Sequence, residues 1–290
     1  HVAAPPHGLQ SAEEVLHFAS SSLGAISQSV DLSRPRSPHR VSVLTTRSGG
    51  QFIAKWFDDS TSYFRSLDAM NHHTIPLGTH APRLIAHDDR LKAIFMTPLP
   101  GEVAGDDTAR DPETHFQLGK LLRQFHESAP AKTSEQFTHD LGSKLLVLGE
   151  QLERSLGTSV VAELRELAVA LADLGAQLTQ PVHGGIHRRH LMIHQNLGIQ
   201  IFSFSNTGYG PWVSDTAELE LSWWRFCPSL KAAFCAGYES EPSASDKLLV
   251  RGLVMERALN SWQARGQHQS GRQRTLCWAN VEYALGGTLF

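Results

Sequence analysis

The stretch PVHGGIHRRHLMIHQN, Pro181 to Asn196, places four histidines at positions 183, 187, 190 and 194. Imidazoles this close together have two common uses, binding a transition metal and moving protons near neutral pH. A metal site needs His187, His190 and His194 to converge, which the helical spacing i, i+3, i+7 permits. The apolar triplet Leu191-Met192-Ile193 argues instead for a loop that runs into a strand. The chain also holds 16 histidines, so local clusters arise by composition alone. The second chemical candidate is Lys55 in FIAKWF, which either meets a phosphate or is a strand lysine that sends its ammonium to water. Arg188 and Arg189, inside the histidine stretch, offer contacts for an anion or an acidic partner.

The elements that must position these residues follow from patterning. SAEEVLHFASSS predicts a short helix capped at Ser11, with acids in its first turn. RVSVLTTRSGGQFIAKWF predicts a hairpin turning at Ser48-Gly49-Gly50, with Lys55 near the end of its second strand. Phe64, Leu67 and Met70 share one helical face, and LKAIFMTPLPG reads as a buried strand stopped by Pro98. Beyond Gly101 the period changes. Phe116, Leu118, Leu121, Leu122 and Phe125 form one core stripe, and Leu164, Leu167, Leu171 and Leu174 repeat it over Val160 to Leu178. Two short strands, Leu191 to Ile193 and Ile199 to Phe204, interrupt the helices across a turn at Asn196-Leu197-Gly198. The pair Trp223 and Trp224 reads as core packing. The expected class is α+β, with a β-rich lobe over 1–100 and a mainly helical lobe over 101–290.

Composition narrows the partners. The 290 residues carry a formal net charge of −3 with His neutral, and no long basic run gathers nucleic acid. No apolar stretch is long enough to span a membrane, and HVAAPPHGLQ has neither the basic nor the apolar region of a secretory leader. Cys227, Cys235 and Cys277 lack a CxxC spacing, which argues against a disulfide framework and suits a reducing cytoplasm.

Taken jointly, these motifs resemble the aminoglycoside phosphotransferase and choline kinase family. Its catalytic segment runs HGDxHxxN, a short hairpin, then IDF and GxGPxxxDLA; this chain reads HGGIHRRH and then IFSFSNTGYGPWVSDTA with the spacing kept. FIAK resembles the family's nucleotide-lysine strand, APRLIAHD the next connection, IFMTPLPG the hinge, and LGKLLRQFHES the helix that the family ends in Leu-His. The resemblance implies a two-lobed protein-kinase-like fold with His183 to Ser203 on the floor of its cleft. It further implies ATP and magnesium as cofactors, Lys55 and Met96 beside the nucleotide, and His183 and Asp215 as residues that hold the loop.

The departures from that pattern fall on the chemistry. Gly185 stands where the family has the loop Asp that receives or orients the hydroxyl proton. His190 replaces the Asn that helps hold magnesium, and Ser203 replaces the Asp that bridges magnesium to the triphosphate. No Glu occurs between Gln51 and Glu102 to pair with Lys55, which leaves Asp59 or Asp68 as substitutes. SRPRSPHR has no glycine to bring backbone amides close to phosphate, although Arg34, Arg36 and Arg40 supply charge. The expectation is a pseudokinase-like protein with no metal site, in which ATP and magnesium binding is weak or lost. It would serve as a binding, scaffolding or regulatory subunit for a protein or peptide partner or a small-molecule ligand, with no nucleic acid and no membrane involved. The alternative is a divergent phosphotransferase acting on a hydroxyl of a small molecule or on Ser/Thr of a peptide in a biosynthetic pathway. Its replacement groups would come from Asn196, Asn206, Asp215 and the histidines.

Overall fold

The computed structural model describes residues 12–34, 37–266 and 271–286. The expected cap Ser11, the N-terminal stretch HVAAPPHGLQ and Arg36 lie outside the described residues. In chain order, α1 (Ala12–Leu23) buries Val15 and Ala19 one turn apart. Three antiparallel strands follow: β1 (Ile26–Asp31), β2 (His39–Thr46) and β3 (Gln51–Phe57). The β2–β3 turn closes where Thr46 N–H donates to the Gly50 carbonyl at 2.9 Å, and Gly49 supplies a φ of +88°.

Asp59 then caps α2 (Ser60–Asp68) by accepting from Ser62 N–H at 2.7 Å. Its buried side carries Tyr63 and Ser66, continued by Met70 in the widened turn Ala69–His73. The first two positions of the expected stripe are therefore displaced by one residue, with Phe64 55% exposed, whereas Met70 is buried as expected. Tyr63 takes the inward place because its hydroxyl can donate to Asp89.

The next elements are β4 (Leu84–Asp88), β5 (Ala93–Met96), β6 (Glu102–Val103) and α3 (Pro112–His126). β7 (Lys132–Ser134) leads into α4 (Gln136–Leu156), α5 (Thr158–Asp173) and β8 (Gln177–Val182). α5 stops short of Leu178 because Gly175, at φ +63°, ends the helix and lets β8 begin. The hairpin β9 (Leu191–His194) and β10 (Gly198–Ile201) follows, then β11 (Gly208–Gly210), the single turn α6 (Ala217–Leu219), α7 (Pro228–Tyr238), α8 (Ala244–Ser261) and α9 (Arg272–Leu285). Among the described residues no helix is long and apolar enough to cross a membrane. Cys227, Cys235 and Cys277 are all free thiols.

The chain divides into two compact units, each discontinuous in sequence. The first holds the chain up to Ala104 together with His190–Thr207. Five of its strands form one antiparallel sheet in the order β1-β2-β3-β5-β4. α1 covers one face, packing Val15 and Ala19 on Leu44, Ala54, Trp56 and Phe95. The β9–β10 hairpin belongs to this unit because β6 pairs with β9 and the Gln200 amide donates to the Pro100 carbonyl at 2.9 Å. His80 Nδ1 also meets the Ile199 carbonyl at 2.8 Å. Gly101 makes this closure possible. It sits at φ +104°, and a Cβ there would lie 2.1 Å from the Ile193 carbonyl oxygen.

The second unit comprises Gly105–Arg189 and Gly208–Phe290. Its core is a leucine zone shared by α4, α5, α8 and α9, with Leu145, Leu164, Leu171, Leu249, Leu259 and Val281 at its centre. In α3, Leu118, Leu121, Leu122 and Phe125 are buried as the stripe demands. Phe116 is only half-buried, and Lys120 Nζ lies 5.6 Å from its ring. α3 and α7 meet through glycines. A Cβ at Gly237 would stand 1.9 Å from the Phe116 carbonyl oxygen, and one at Gly119 would stand 2.3 Å from that of Phe234. The two backbones touch with no side chain between them, so one methyl group forces them apart. Gly237→Ala is expected to destabilise the protein by roughly 2–4 kcal/mol, read as a lower urea midpoint with an unchanged slope.

Candidate functional site

In the second unit, β8 delivers the chain into the loop that starts at His183. Asp215, 1% exposed, fixes its entry: Oδ2 accepts from His183 N–H at 2.7 Å and Oδ1 from Gly184 N–H at 2.6 Å. Oδ2 also accepts from His126 Nε2 at 3.0 Å, while His126 Nδ1 meets the Tyr238 hydroxyl at 2.9 Å. Gln180 donates to that hydroxyl at 3.1 Å, which closes a chain of groups from β8 through α7 and α3 to Asp215. Burial pushes the Asp215 carboxyl up, but the hydrogen bond and charge of His126, with His183, outweigh it and hold the group below its ordinary value. Arg257, from α8, donates to the Gly184 carbonyl at 3.3 Å. Both oxygens of Asp215 are thus committed to N–H donors.

Gly185 is buried and brings no functional group to the loop. Arg188 Nε pairs with Asp106 at 3.2 Å, whereas the Arg189 side chain is exposed and its N–H donates to His187 Nδ1 at 3.1 Å. His187 therefore shapes a turn. His194 does the same in the first unit, where Nδ1 accepts from the Asn196 and Leu197 N–H groups at 3.2 Å each. Residues 188–190 form a short 3-10 turn, not an α-helix, so the histidines do not share a helical face. Among the described residues no group of three or more His, Cys, Asp and Glu is placed to hold a metal ion.

In the first unit, cross-strand register puts Lys55 opposite Val41 and Ile94, and Met96 opposite Ile53, all on the sheet face away from α1. Lys55 does not reach out to water. It is 6% exposed, with Nζ 4.8 Å from the Phe57 ring centroid, and burial pulls its ammonium down to about 8. Neither candidate substitute for its missing Glu partner reaches it. Asp59 caps α2, and Asp68 faces His72 and His73 at 3.7 and 3.6 Å. Ser66, on the buried side of α2, has an Oγ without a hydrogen-bond partner.

His190 and Ser203 lie at the two ends of the β9–β10 hairpin. Phe202 N–H donates to the His190 carbonyl at 3.1 Å, and their rings stand edge to face at 6.0 Å. Ser203 has φ +75° and ψ +62°, a left-handed conformation rare for a residue with a side chain. This turn, not the expected continuation to Phe204, ends the strand. The residues present do not suit magnesium. The two hairpin positions offer an imidazole and a neutral hydroxyl where a hard cation requires anionic oxygens. Sequence reasoning missed His126 and Tyr238 as supports of the Asp215 brace, and His39 as the neighbour of Lys55. The pairing of a helix-terminal His with the Asp of GPWVSD was the signal that could have found the first of these.

Two stability measurements check this geometry. Asp215→Asn leaves backbone donors facing an amide and is expected to cost roughly 3–5 kcal/mol by chemical denaturation. Lys55→Met removes a desolvated cation. Because the folded-state pKa lies below the unfolded one, the wild-type protein carries this penalty below pH 8 and loses it as the pH rises from about 8 toward 10.5. The variant should exceed the wild type by up to about 3 kcal/mol at pH 7, with the gap closing above pH 10.

The chain matches the family model APH, described as the phosphotransferase enzyme family, over residues 32–248. No curated protein sequence matches it. Amicoumacin kinase hAmiN, solved with AMP-PNP, Ca2+ and Ami, is 17% identical with a TM-score of 0.68, covering 96% of this chain and 94% of its own. Choline kinase LicA from Streptococcus pneumoniae is 18% identical with a TM-score of 0.68, covering 95% and 98% respectively. A thermostable mutant of aminoglycoside phosphotransferase APH(4)-Ia, in its apo form, is 12% identical with a TM-score of 0.65, covering 94% and 96%. At such identities the shared property is the α+β, protein-kinase-like fold, with a β-rich N-terminal region and a helical C-terminal one. The family match runs from the end of β1 into α8, and this chain belongs to the phosphotransferase enzyme family.

Proposed function

We propose that this chain is a catalytically impaired member of its family, retained as a binding, scaffolding or regulatory subunit. One observation carries the reading: no uncommitted carboxylate stands at the positions where phosphoryl transfer needs one. Gly185 has no side chain, His190 and Ser203 carry no anionic oxygen, and both oxygens of Asp215 are occupied by N–H donors. Phosphoryl transfer depends on positioning and charge stabilisation, so the joint absence of base and metal ligands removes most of what the fold would contribute. The exposed Arg189 suits an acidic segment of a protein or peptide partner. A divergent phosphotransferase, acting on a hydroxyl of a small molecule or on Ser/Thr of a peptide, is the second reading. What favours it is the intact Asp215 brace, which keeps the loop entry ordered.

Transfer of labelled phosphate from ATP with Mg2+ or Mn2+ to a panel of hydroxyl compounds and Ser/Thr peptides decides between the two. The expected result is no transfer above that of a Lys55→Met control; transfer that scales with protein and vanishes in the control overturns the proposal. The triple variant Gly185→Asp, His190→Asn, Ser203→Asp is expected to gain magnesium-dependent nucleotide binding by calorimetry. Each single change should gain much less, since metal ligands act as a set.

A further inference from the structure

The segment after Asp215 carries a second group of charged side chains, none of which belongs to the loop from His183 to Ser203. A widened turn, Glu220–Trp224, closes as Arg225 N–H donates to the Glu220 carbonyl at 3.3 Å, and Pro228 then starts α7. Arg225, Phe226 and Cys227 form the corner between the two. Turns of this width are rare and recur at functional sites.

Glu220 is the carboxylate of the group, and it is 3% exposed. Its Oε1 accepts from the Tyr283 hydroxyl at 2.8 Å and its Oε2 from Lys231 Nζ at 3.2 Å, so its charge is spent on Lys231. The half-buried Arg225 packs instead on two rings, with Cζ 4.4 Å from the Phe226 centroid and 5.3 Å from that of Tyr283. Among the described residues its guanidinium has no carboxylate partner, and Nε is buried without a hydrogen-bond acceptor. Burial pulls this guanidinium down, with Tyr283 opposing. Arg225, Lys231 and Glu220 together leave a net positive charge.

Phe226 completes the corner. At 71% it is the most exposed large apolar side chain among the described residues. A partly dehydrated cation without an acceptor and a bare ring are each unfavourable alone, and here they are neighbours. One ligand answers both. A carboxylate pairs with the planar guanidinium, while an apolar group attached to it covers the ring. Packing on the rings restrains the guanidinium beforehand, so less freedom is lost on pairing.

We propose that Arg225 and Phe226 form a surface site for a partner peptide in which a carboxylate stands beside an aromatic or large aliphatic side chain. The site uses no residue of the loop, so it goes beyond the non-catalytic reading and is tested apart from it.

The test is fluorescence anisotropy of a labelled peptide of alternating glutamate and phenylalanine, blocked at both ends and titrated with the full chain. Saturable binding is expected, weakened about tenfold when glutamine replaces the glutamates and several-fold when alanine replaces the phenylalanines. Arg225→Gln should weaken it about tenfold, and Arg225→Lys should recover little, because an ammonium lacks the planar fork. Phe226→Ala, a change at an exposed ring, should weaken binding several-fold and keeps the test decisive if an Arg225 variant fails to fold by circular dichroism. A peptide whose only carboxylate is its C-terminus separates the sources: tighter binding than the blocked peptide supports the site with a chain end as ligand, weaker binding supports it with an internal acidic stretch. No saturable binding, binding indifferent to the loss of the glutamates, or binding untouched by both Arg225→Gln and Phe226→Ala overturns the site. Loss on Arg189→Gln alone also overturns it and moves the acidic contact to the loop. Phosphoryl transfer by the wild-type protein removes the non-catalytic reading and leaves this site standing.

Discussion

The carboxylate of Asp215, buried and accepting from two backbone N–H groups and one imidazole, is the interaction on which the second unit's loop depends. A buried charge is tolerable only when its hydrogen-bonding capacity is filled, and here the partners come from β8's exit, α3 and, through Tyr238, α7. The loop's entry is thus held by residues outside its chemical positions. Its conformation does not rely on an acid at Gly185, so chemistry can be lost from this segment while shape is kept.

Ser203 tells the same story in the first unit. A left-handed residue with a Cβ costs of order 1 kcal/mol or more, which surrounding structure must offset. The offset comes from the Phe202–His190 backbone bond and from α2, which packs on the turn at Phe204–Asn206. Lys55 is a second expensive feature in the same unit, a cation dehydrated against an aromatic ring. Natural chains rarely sit at their stability optimum, because most mutations destabilise and only those that cross a threshold are purged. A Met in place of Lys55 and a Gly in place of Ser203 are the obvious relaxed choices, and neither is present.

Much of the fold was legible in the sequence because burial imposes a period. The leucines of α3 and α5 and the alternation in β2 and β3 gave their elements directly, and the kept spacing from His183 to Asp215 gave the family. What failed to show has physical reasons. The helix α2 runs into a widened turn at Ala69, so a regular 3.6-residue stripe selected Phe64 where the chain buries Tyr63. Phe116 belonged to an apolar stripe, but its ring is only half-buried, with Lys120 Nζ 5.6 Å from its centroid. The network of His126, Tyr238 and Gln180 joins residues up to 112 positions apart, and no local pattern encodes that meeting. Lys55 was legible as a residue but not as a state: its dehydration depends on cross-strand neighbours fixed only by register.

The discontinuity of the first unit bears on how the chain is made. The sheet from β1 to β5 is assembled from neighbouring segments, but the unit closes only when the β9–β10 hairpin docks on β6 and on the connection at His80. Those contacts bridge 119 residues between His80 and Ile199 and 100 between Pro100 and Gln200. During synthesis from the N-terminus the edge of β6 and the carbonyl of Pro100 therefore lack these partners until α3, α4, α5 and then the β9–β10 hairpin have emerged. Contacts of such sequence separation are slow to form, because the loop entropy is lost before any contact is gained. The first unit therefore cannot close before the segment up to Thr207 has been made.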